Sequence, residues 1–194
     1  MTAADRGFDP PIPDIPVEDI HTERLILRGW RESDKPTWAA INQNPEVMRY
    51  FPQTDPPEVS YAAVDRLGAH LLDHGWGLWA VEHDGELLGF TGLSVPKYDA
   101  PFMPAVEVGW RFARHAWGNG YATEAARAAV RVGFERLGLP EIVSFTTVAN
   151  QPSRRVMERL GMTHDPVDDF LHPNLPEGHP LRPHVLYRLG PTPA

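Results

Sequence analysis

The sequence predicts an α/β (α+β) domain built on a mixed β-sheet, and three observations predict it. Short apolar runs alternate with segments of helical period along most of the chain. Asp84-Gly85 stands between two such runs, the signature of a tight hairpin. Further on, an apolar run passes through "HAWGNGYA" (115–122) straight into a helical pattern, so a strand hands over to a helix through a glycine-bearing loop.

Each element follows from its residues. "HTERLILRGW" (21–30) reads as the first strand, and "RESDKPTWAAINQNPEVMRYF" (31–51) as a first helix with Ser33 or Asp34 as cap and Pro36 just inside. From Glu58 to His74, Val59, Ala62, Ala63, Leu67, Leu71 and Leu72 recur near helical spacing, and the glycines of "HGWG" (74–77) end that helix. The runs on either side of Asp84-Gly85 form the hairpin, and "PAVEVGWRFA" (104–113) is the next strand. A helix then extends to about Leu137, with Ala122, Ala125, Ala126, Ala129, Val130, Phe134 and Leu137 on its apolar face. "EIVSFTTV" (141–148) is a strand, and "NQPSRRVMERLG" (150–161) a short helix capped by Asn150 or Gln151 and stopped at Gly161. "HVLYRL" (184–189) has β character. It follows the long, proline-rich stretch "HDPVDDFLHPNLPEGHPLRP" (164–183).

A length of 194 residues suits one domain, expected over 21–194. The opening stretch, residues 1–20, is proline-rich and aperiodic and reads as an extended or disordered arm. Half of the net charge of −8 arises there, where Asp5, Asp9, Asp14, Glu18 and Asp19 outweigh Arg6. That acidic balance argues against a nucleic-acid partner, which normally demands a basic footprint. No run approaches the roughly eighteen apolar residues of a membrane span, and no signal-peptide core follows the start. A cytoplasmic protein without a membrane partner is expected. The absence of cysteine removes disulfides, thiolate metal sites and an acyl-cysteine intermediate together.

The glycine pair Gly118 and Gly120 admits two readings. A tight turn needing positive φ is one, though it accounts for one glycine more readily than for both. The other is an anion site, because small residues leave the unpartnered N–H groups of a helix N-terminus open where the helix dipole favours negative charge.

Taken in order, the strand "VEVGWRFA", the loop "HAWGNGYA", its helix, the strand "IVSFTTVAN" and "NQPSRRVMERLGM" resemble the acyl-CoA-binding core of the GNAT N-acetyltransferase superfamily. The closer resemblance is to its ribosomal-protein N-terminal acetyltransferase branch, and it spans about residues 21–163. It implies a mostly antiparallel sheet with a central parallel pair, flanked by helices. It also implies acetyl-CoA as acyl donor, an amine acceptor as partner and no metal, and it is compatible with a homodimer. His115 stands where the family usually has Gln or Arg, followed by Gly118, Gly120 and Ala122 in the family's spacing. The resemblance therefore implies that 115–122, including Asn119 and Tyr121, cradle the coenzyme A pyrophosphate through backbone N–H groups. Arg114 is an alternative source of a side-chain contact. Backbone groups of Trp110, Phe112 and Ala113 are implied to hold the pantetheine arm, Asn150 to contact it, and Ser153 to approach the sulfur where many relatives place a tyrosine acid nearby.

Aminolysis of a thioester needs a neutral amine, stabilisation of the oxyanion and a proton for the departing thiolate. Without cysteine, direct attack is the economical route. Glu107 lies between Val106 and Val108 and on a period of two points away from both, so it either faces solvent or serves as general base with a raised pKa. Asn150 and Ser153 have helix-capping readings beside the functional ones. His164, His172, His179 and His184 share a segment with Asp165, Asp168 and Asp169, but their irregular spacing does not make a ligand set. That segment is too long for an ordinary hairpin loop and is expected to select the acceptor, its acidic run attracting a cationic amine. Protein N-termini, polyamines, amino sugars and small metabolites all stay open as acceptors. A noncatalytic acyl-CoA sensor is the competing class, and a dinucleotide-binding domain a third, although "GNGYAT" is not a complete G-x-G-x-x-G.

Overall fold

The computed structural model describes residues 18–191, so most of the arm expected over 1–20 lies outside the described residues. The expected first strand is two short strands, β1 (Ile20–His21) and β2 (Ile26–Arg28), joined by a turn at Glu23 and Arg24. Helix α1 (Lys35–Gln43) is shorter than its sequence pattern. Asp34 stands at its cap position, yet its carboxylate does not cap the helix. It accepts from Arg28 at 2.8 and 2.9 Å and from the Arg31 N–H at 2.7 Å, because a buried guanidinium needs a paired anion more than an exposed helix turn needs a cap. Helix α2 (Pro57–His74) ends at Gly75 in the left-handed conformation, its N–H on the Leu71 carbonyl at 2.9 Å.

Strands β3 (Leu78–His83) and β4 (Glu86–Ser94) close through Asp84 and Gly85, at φ of 49° and 80°, the two positive angles a type I′ turn requires. Then come β5 (Glu107–Phe112), α3 (Tyr121–Arg131) continued by a π-helical turn to Arg136, β6 (Ile142–Thr147) and α4 (Gln151–Arg159). The long proline-rich segment contains two short strands absent from the sequence reading, β7 (Thr163–His164) and β8 (Phe170–Leu171), which pair with β9 (Pro183–Leu189). Two-residue strands carry no periodicity, which is why the sequence hides them.

One mixed sheet results, in the order β1-β2-β3-β4-β5-β6-β9-β7 with β8 also on β9. All pairings are antiparallel except β5 with β6, the central parallel pair. On one face, Ala125, Ala126 and Ala129 of α3 bury Val106, Val108 and Phe112. On the other, Trp38 and Ile41 of α1 pack with Ala80, Leu87 and Ala113, while Val143, Phe170 and Leu186 form a separate cluster farther along.

Candidate active site

The parallel pair defines the site because it is barely a pair. β5 and β6 meet at Glu107 opposite Val143, where the Val143 N–H donates to the Val106 carbonyl at 2.9 Å, and beyond that point they splay apart. In β5 the odd residues bond toward β4, as the Ala113 N–H does to the Leu88 carbonyl at 2.8 Å. Antiparallel alternation therefore turns the N–H and C=O of Trp110 into the open seam. Ala113, expected to hold pantetheine, points its N–H away from the seam toward Leu88. The Phe112 carbonyl is taken by the Trp117 indole N–H at 2.9 Å. Of the three expected backbone contacts, Trp110 faces the seam with both groups.

At the end of β5 the chain turns through 114–116 into the glycine loop. Gly118 and Gly120 have φ of 82° and 81°, so the turn by itself accounts for both glycines and not for one more readily than the other. The space is also there: a Cβ at Gly118 would have nothing within 4 Å. Asn119 shapes the loop, its amide donating to the carbonyls of Ala116 and Trp117 at 3.2 Å, and its own carbonyl accepts from Arg24 at 3.0 Å. Arg24 also pairs with Glu124 at 2.6 Å and lies over the Tyr121 ring, tying the β1–β2 turn to the start of α3. A groove of about 920 Å³ opens beside the loop, lined by Gly118 and Gly120 and by Arg127, Arg131 and Arg159. Arg127 and Arg131 stand one turn apart on α3, but Arg159 comes from the end of α4, so the group of three was not visible in the sequence. His115 and Arg114 do not join them. His115 faces Glu86 at 3.1 Å, and Arg114 pairs with Glu46 at 2.8 Å over the Trp117 ring.

Asn150 caps α4 and organises its neighbourhood. Its side-chain oxygen accepts from the Ser153 N–H at 3.3 Å, and its amide donates to the hydroxyls of Thr146 at 2.8 Å and Ser153 at 3.0 Å. Because the Ser153 oxygen accepts from Asn150, its own hydrogen is left to donate elsewhere. Thr146, on β6, was missed by the sequence reading.

Glu107 projects from the other face of the sheet. It is only partly exposed, and burial pushes its carboxyl up to about 8. Its Oε1 leans along the strand over Gly109, 3.7 Å from where a Cβ there would sit. The Tyr98 hydroxyl nearby is buried without a hydrogen-bond partner among the described residues, and burial, followed by the Glu107 charge, raises its pKa. Arg111, on the same face as Glu107, lines a second cavity of about 570 Å³ between the 48–55 loop and Asn174, Leu175, Pro176 and His179.

The acidic run is spoken for. Asp168 pairs with Arg188 at 2.7 Å, which holds its carboxyl below the usual range, Asp169 accepts from His164 at 2.7 Å, and Asp165 caps a turn through the Val167 N–H. Arg188 neutralises Asp168, and His164 engages Asp169, so less of the acidic run is left to attract a cationic amine. His172 and His184 pack at a tilt against each other and against Phe170, and burial lowers both pKa values. Among the described residues, no group of three or more His, Asp or Glu side chains could hold a metal. No described helix is long and apolar enough to cross a membrane.

A family model described as "Acetyltransferase (GNAT) domain" matches residues 24–163, the stretch that contains seam, loop and cap. The chain belongs to the GNAT acetyltransferase family. Like other GNAT proteins it is an N-acetyltransferase, and acetyl-CoA is the donor the family uses. It is 33% identical over 153 residues to an FsC-acetyl coenzyme A-N(2)-transacetylase of Aspergillus fumigatus, a longer protein of which the match covers 65%, against 75% of this chain. It is 28% identical over 143 residues to a putative ribosomal N-acetyltransferase of Bacillus subtilis, covering 73% of this chain and 70% of that one. A GNAT acetyltransferase structure from Bacillus anthracis superposes with a TM-score of 0.72 at 27% identity, over 89% of this chain and 98% of that one. The fold is shared with a ribosomal L7/L12 acetyltransferase in complex with coenzyme A, at TM-score 0.71 and 20% identity, over 89% and 98% of the two chains.

Proposed function

We propose that this GNAT domain, acting as a single unit from residue 21 onward, transfers the acetyl group of acetyl-CoA directly to a primary amine. The observation that carries the reading is the seam between β5 and β6: Glu107 stands on one face, the Asn150–Ser153 pair on the other, and the glycine loop at its end. When bound, acetyl-CoA supplies an activated acyl group as a thioester. The loop 118–122 and the first N–H groups of α3 suit its pyrophosphate, with Arg127, Arg131 and Arg159 adding positive charge beside them. The Trp110 N–H and C=O suit the amide groups of the pantetheine arm, which would extend the sheet as an added strand.

The protein groups then divide the proton work. Glu107, with a carboxyl near 8, holds or releases a proton around neutral pH and takes one from the incoming ammonium, directly or through water. The Ser153 hydroxyl, already accepting from Asn150, donates toward the departing sulfur. Serine is a weak acid, so its contribution is a hydrogen bond rather than full protonation. The amine enters from the 570 Å³ cavity on the Glu107 face.

The test is thiol release from acetyl-CoA across an amine panel that includes free amino acids, polyamines and a peptide with a free N-terminus. Turnover with any of these supports transfer. Tight acetyl-CoA binding with no turnover on any amine would instead leave a noncatalytic acyl-CoA sensor.

A further inference from the structure

Arg111 is partly buried against three aromatic rings. Its guanidinium carbon lies 4.0 Å from the centroid of Phe51, 5.6 Å from Trp38 and 6.0 Å from Phe90. Burial lowers its pKa to about 10. One of its donors is satisfied by protein, Nη1 giving to the Asn42 Oδ1 at 2.7 Å. Nε is buried with no partner among the described residues, and no described carboxylate forms an ion pair with the guanidinium. Asp55 attracts it from the cavity rim without reaching it.

The geometry of what is left is specific. Asn42 takes one of the two Nη1 hydrogens; among the donors left, Nε and Nη2 form one edge of the planar guanidinium and present parallel N–H bonds. Phe51, Trp38 and Phe90 crowd the guanidinium, and a group that approaches along that edge meets both donors at once. A planar carboxylate is the partner that matches two parallel donors, and a charge buried without an ion-pair partner is costly unless something supplies one. Arg111 lines the cavity proposed for the acceptor and shares the face of β5 with Glu107, four residues away. Four strand residues span about 13 Å between Cα atoms, a distance the two long side chains shorten from both ends.

We infer that the acceptor is a small amine carrying a carboxylate remote from its reacting nitrogen, the carboxylate held edge-on by Arg111 while the amine reaches Glu107. This rests on the acetyltransferase reading and narrows its substrate class. It replaces the cationic acceptor suggested by the acidic run. Asp55 is then a competitor for Arg111 that weakens the hold on an acceptor's carboxylate.

The experiment uses the full chain and matched acceptors: the ω-amino acids from 3-aminopropanoate to 6-aminohexanoate, their primary amides, and the aminoalkyl phosphonates of equal length. Thiol release gives kcat/KM for each, and calorimetric titration into the coenzyme A-loaded protein gives affinity where turnover is absent. Expected is at least a tenfold preference for one carboxylate over its amide and over its phosphonate. R111Q should collapse that ratio toward one, R111K should keep part of it, and D55N should raise it, while acetyl-CoA affinity is unchanged in all three. Equal values for acid and amide in the wild type, in turnover and in binding, would overturn the inference, as would a ratio preserved in R111Q or a preference for the phosphonate. Should R111Q fail to fold, the wild-type, R111K and D55N ratios still decide. Loss of acetyl-CoA binding by the wild type would sink the acetyltransferase reading instead, a separate outcome.

Discussion

Glu107 is the residue whose surroundings and chemistry agree most closely. Its carboxyl is raised to about 8 by burial, with no hydrogen bond among the described residues to hold the charge, so it can accept a proton near neutral pH. E107Q is expected to lower kcat by about 10²-fold or more, the scale of general-base catalysis, with acetyl-CoA affinity unchanged. The pH profile should lose its rise toward 8 in the variant. The same shift has a stability consequence. The folded-state pKa lies above the unfolded one, so the folded protein binds the proton more tightly. The associated stability is full below about pH 4, declines as pH rises and is gone above about 8. Thermal melts from pH 5 to 8 should show a downward slope in the wild type that E107Q flattens, and parallel slopes would contradict the burial account. Asn150 is a second case. N150A removes the cap of α4, worth about 1 kcal/mol, and frees the Ser153 side chain. Melting temperature should fall and turnover with it, whereas S153A should lower turnover only modestly. Glu107 was legible because an acid between two valines breaks a buried pattern. Arg111 carries the same signal between Trp110 and Phe112, and could have been found by it, but its environment comes from α1 and the 48–55 loop, which no local pattern reveals.

At the scale of elements, the glycine loop shows how one sequence feature serves two physical needs. Positive φ is required at Gly118 and Gly120, and open space is required where an anion would sit. Alanine at Gly120 costs about 1–2 kcal/mol of backbone strain, so a loss of stability there says nothing by itself about phosphate. Gly138 provides the comparison, since it too has positive φ, at 62°, and a Cβ there would meet nothing within 4 Å, as at Gly120 it would meet Arg24 only in ordinary contact at 3.5 Å, but it lies beyond the C-terminal end of α3. G120A and G138A should lose similar melting temperature in the ligand-free protein. Only G120A should also lose the rise that acetyl-CoA produces by binding the folded state. Equal ligand-induced rises in both variants would remove the loop from the cofactor site. The loop, its helix and the hairpin were legible because glycine, Asp-Gly and helical period act over a few residues. The splay of β5 from β6 was not, since it is set by the parallel bridge at Glu107 and Val143, thirty-odd residues apart in the chain. The role of Ala113 was misread for the same reason: which way its N–H points depends on register with β4.

Across the whole molecule the sheet divides the work between its faces. α3 and α4 present the glycine loop and Ser153 on one face; on the other, α1, the 48–55 loop and residues 174–179 surround Arg111, with Glu107 farther along the same face of β5. The two cavities share no lining residue. Acceptor choice can then change without touching cofactor binding. The segment between β8 and β9 allows the test. Its ends are fixed by Leu171 opposite Pro183 and by the His172 N–H on the Arg182 carbonyl at 2.8 Å, while the residues between fold back through successive turns at Leu175, His179 and Arg182. Replacing residues 173–181 by a short glycine-bearing turn keeps the strand pairing and removes Asn174, Leu175, Pro176 and His179 from the cavity wall. The acetyl-CoA-induced rise in melting temperature should stay within error of the wild type. Acceptor KM should rise about tenfold or more, because a wall worth roughly 1.4 kcal/mol of contact has been removed. Discrimination among acceptor lengths should fall as the cavity opens to water. Loss of acetyl-CoA binding in a folded variant would place this segment in the cofactor site and undo the division between the two faces.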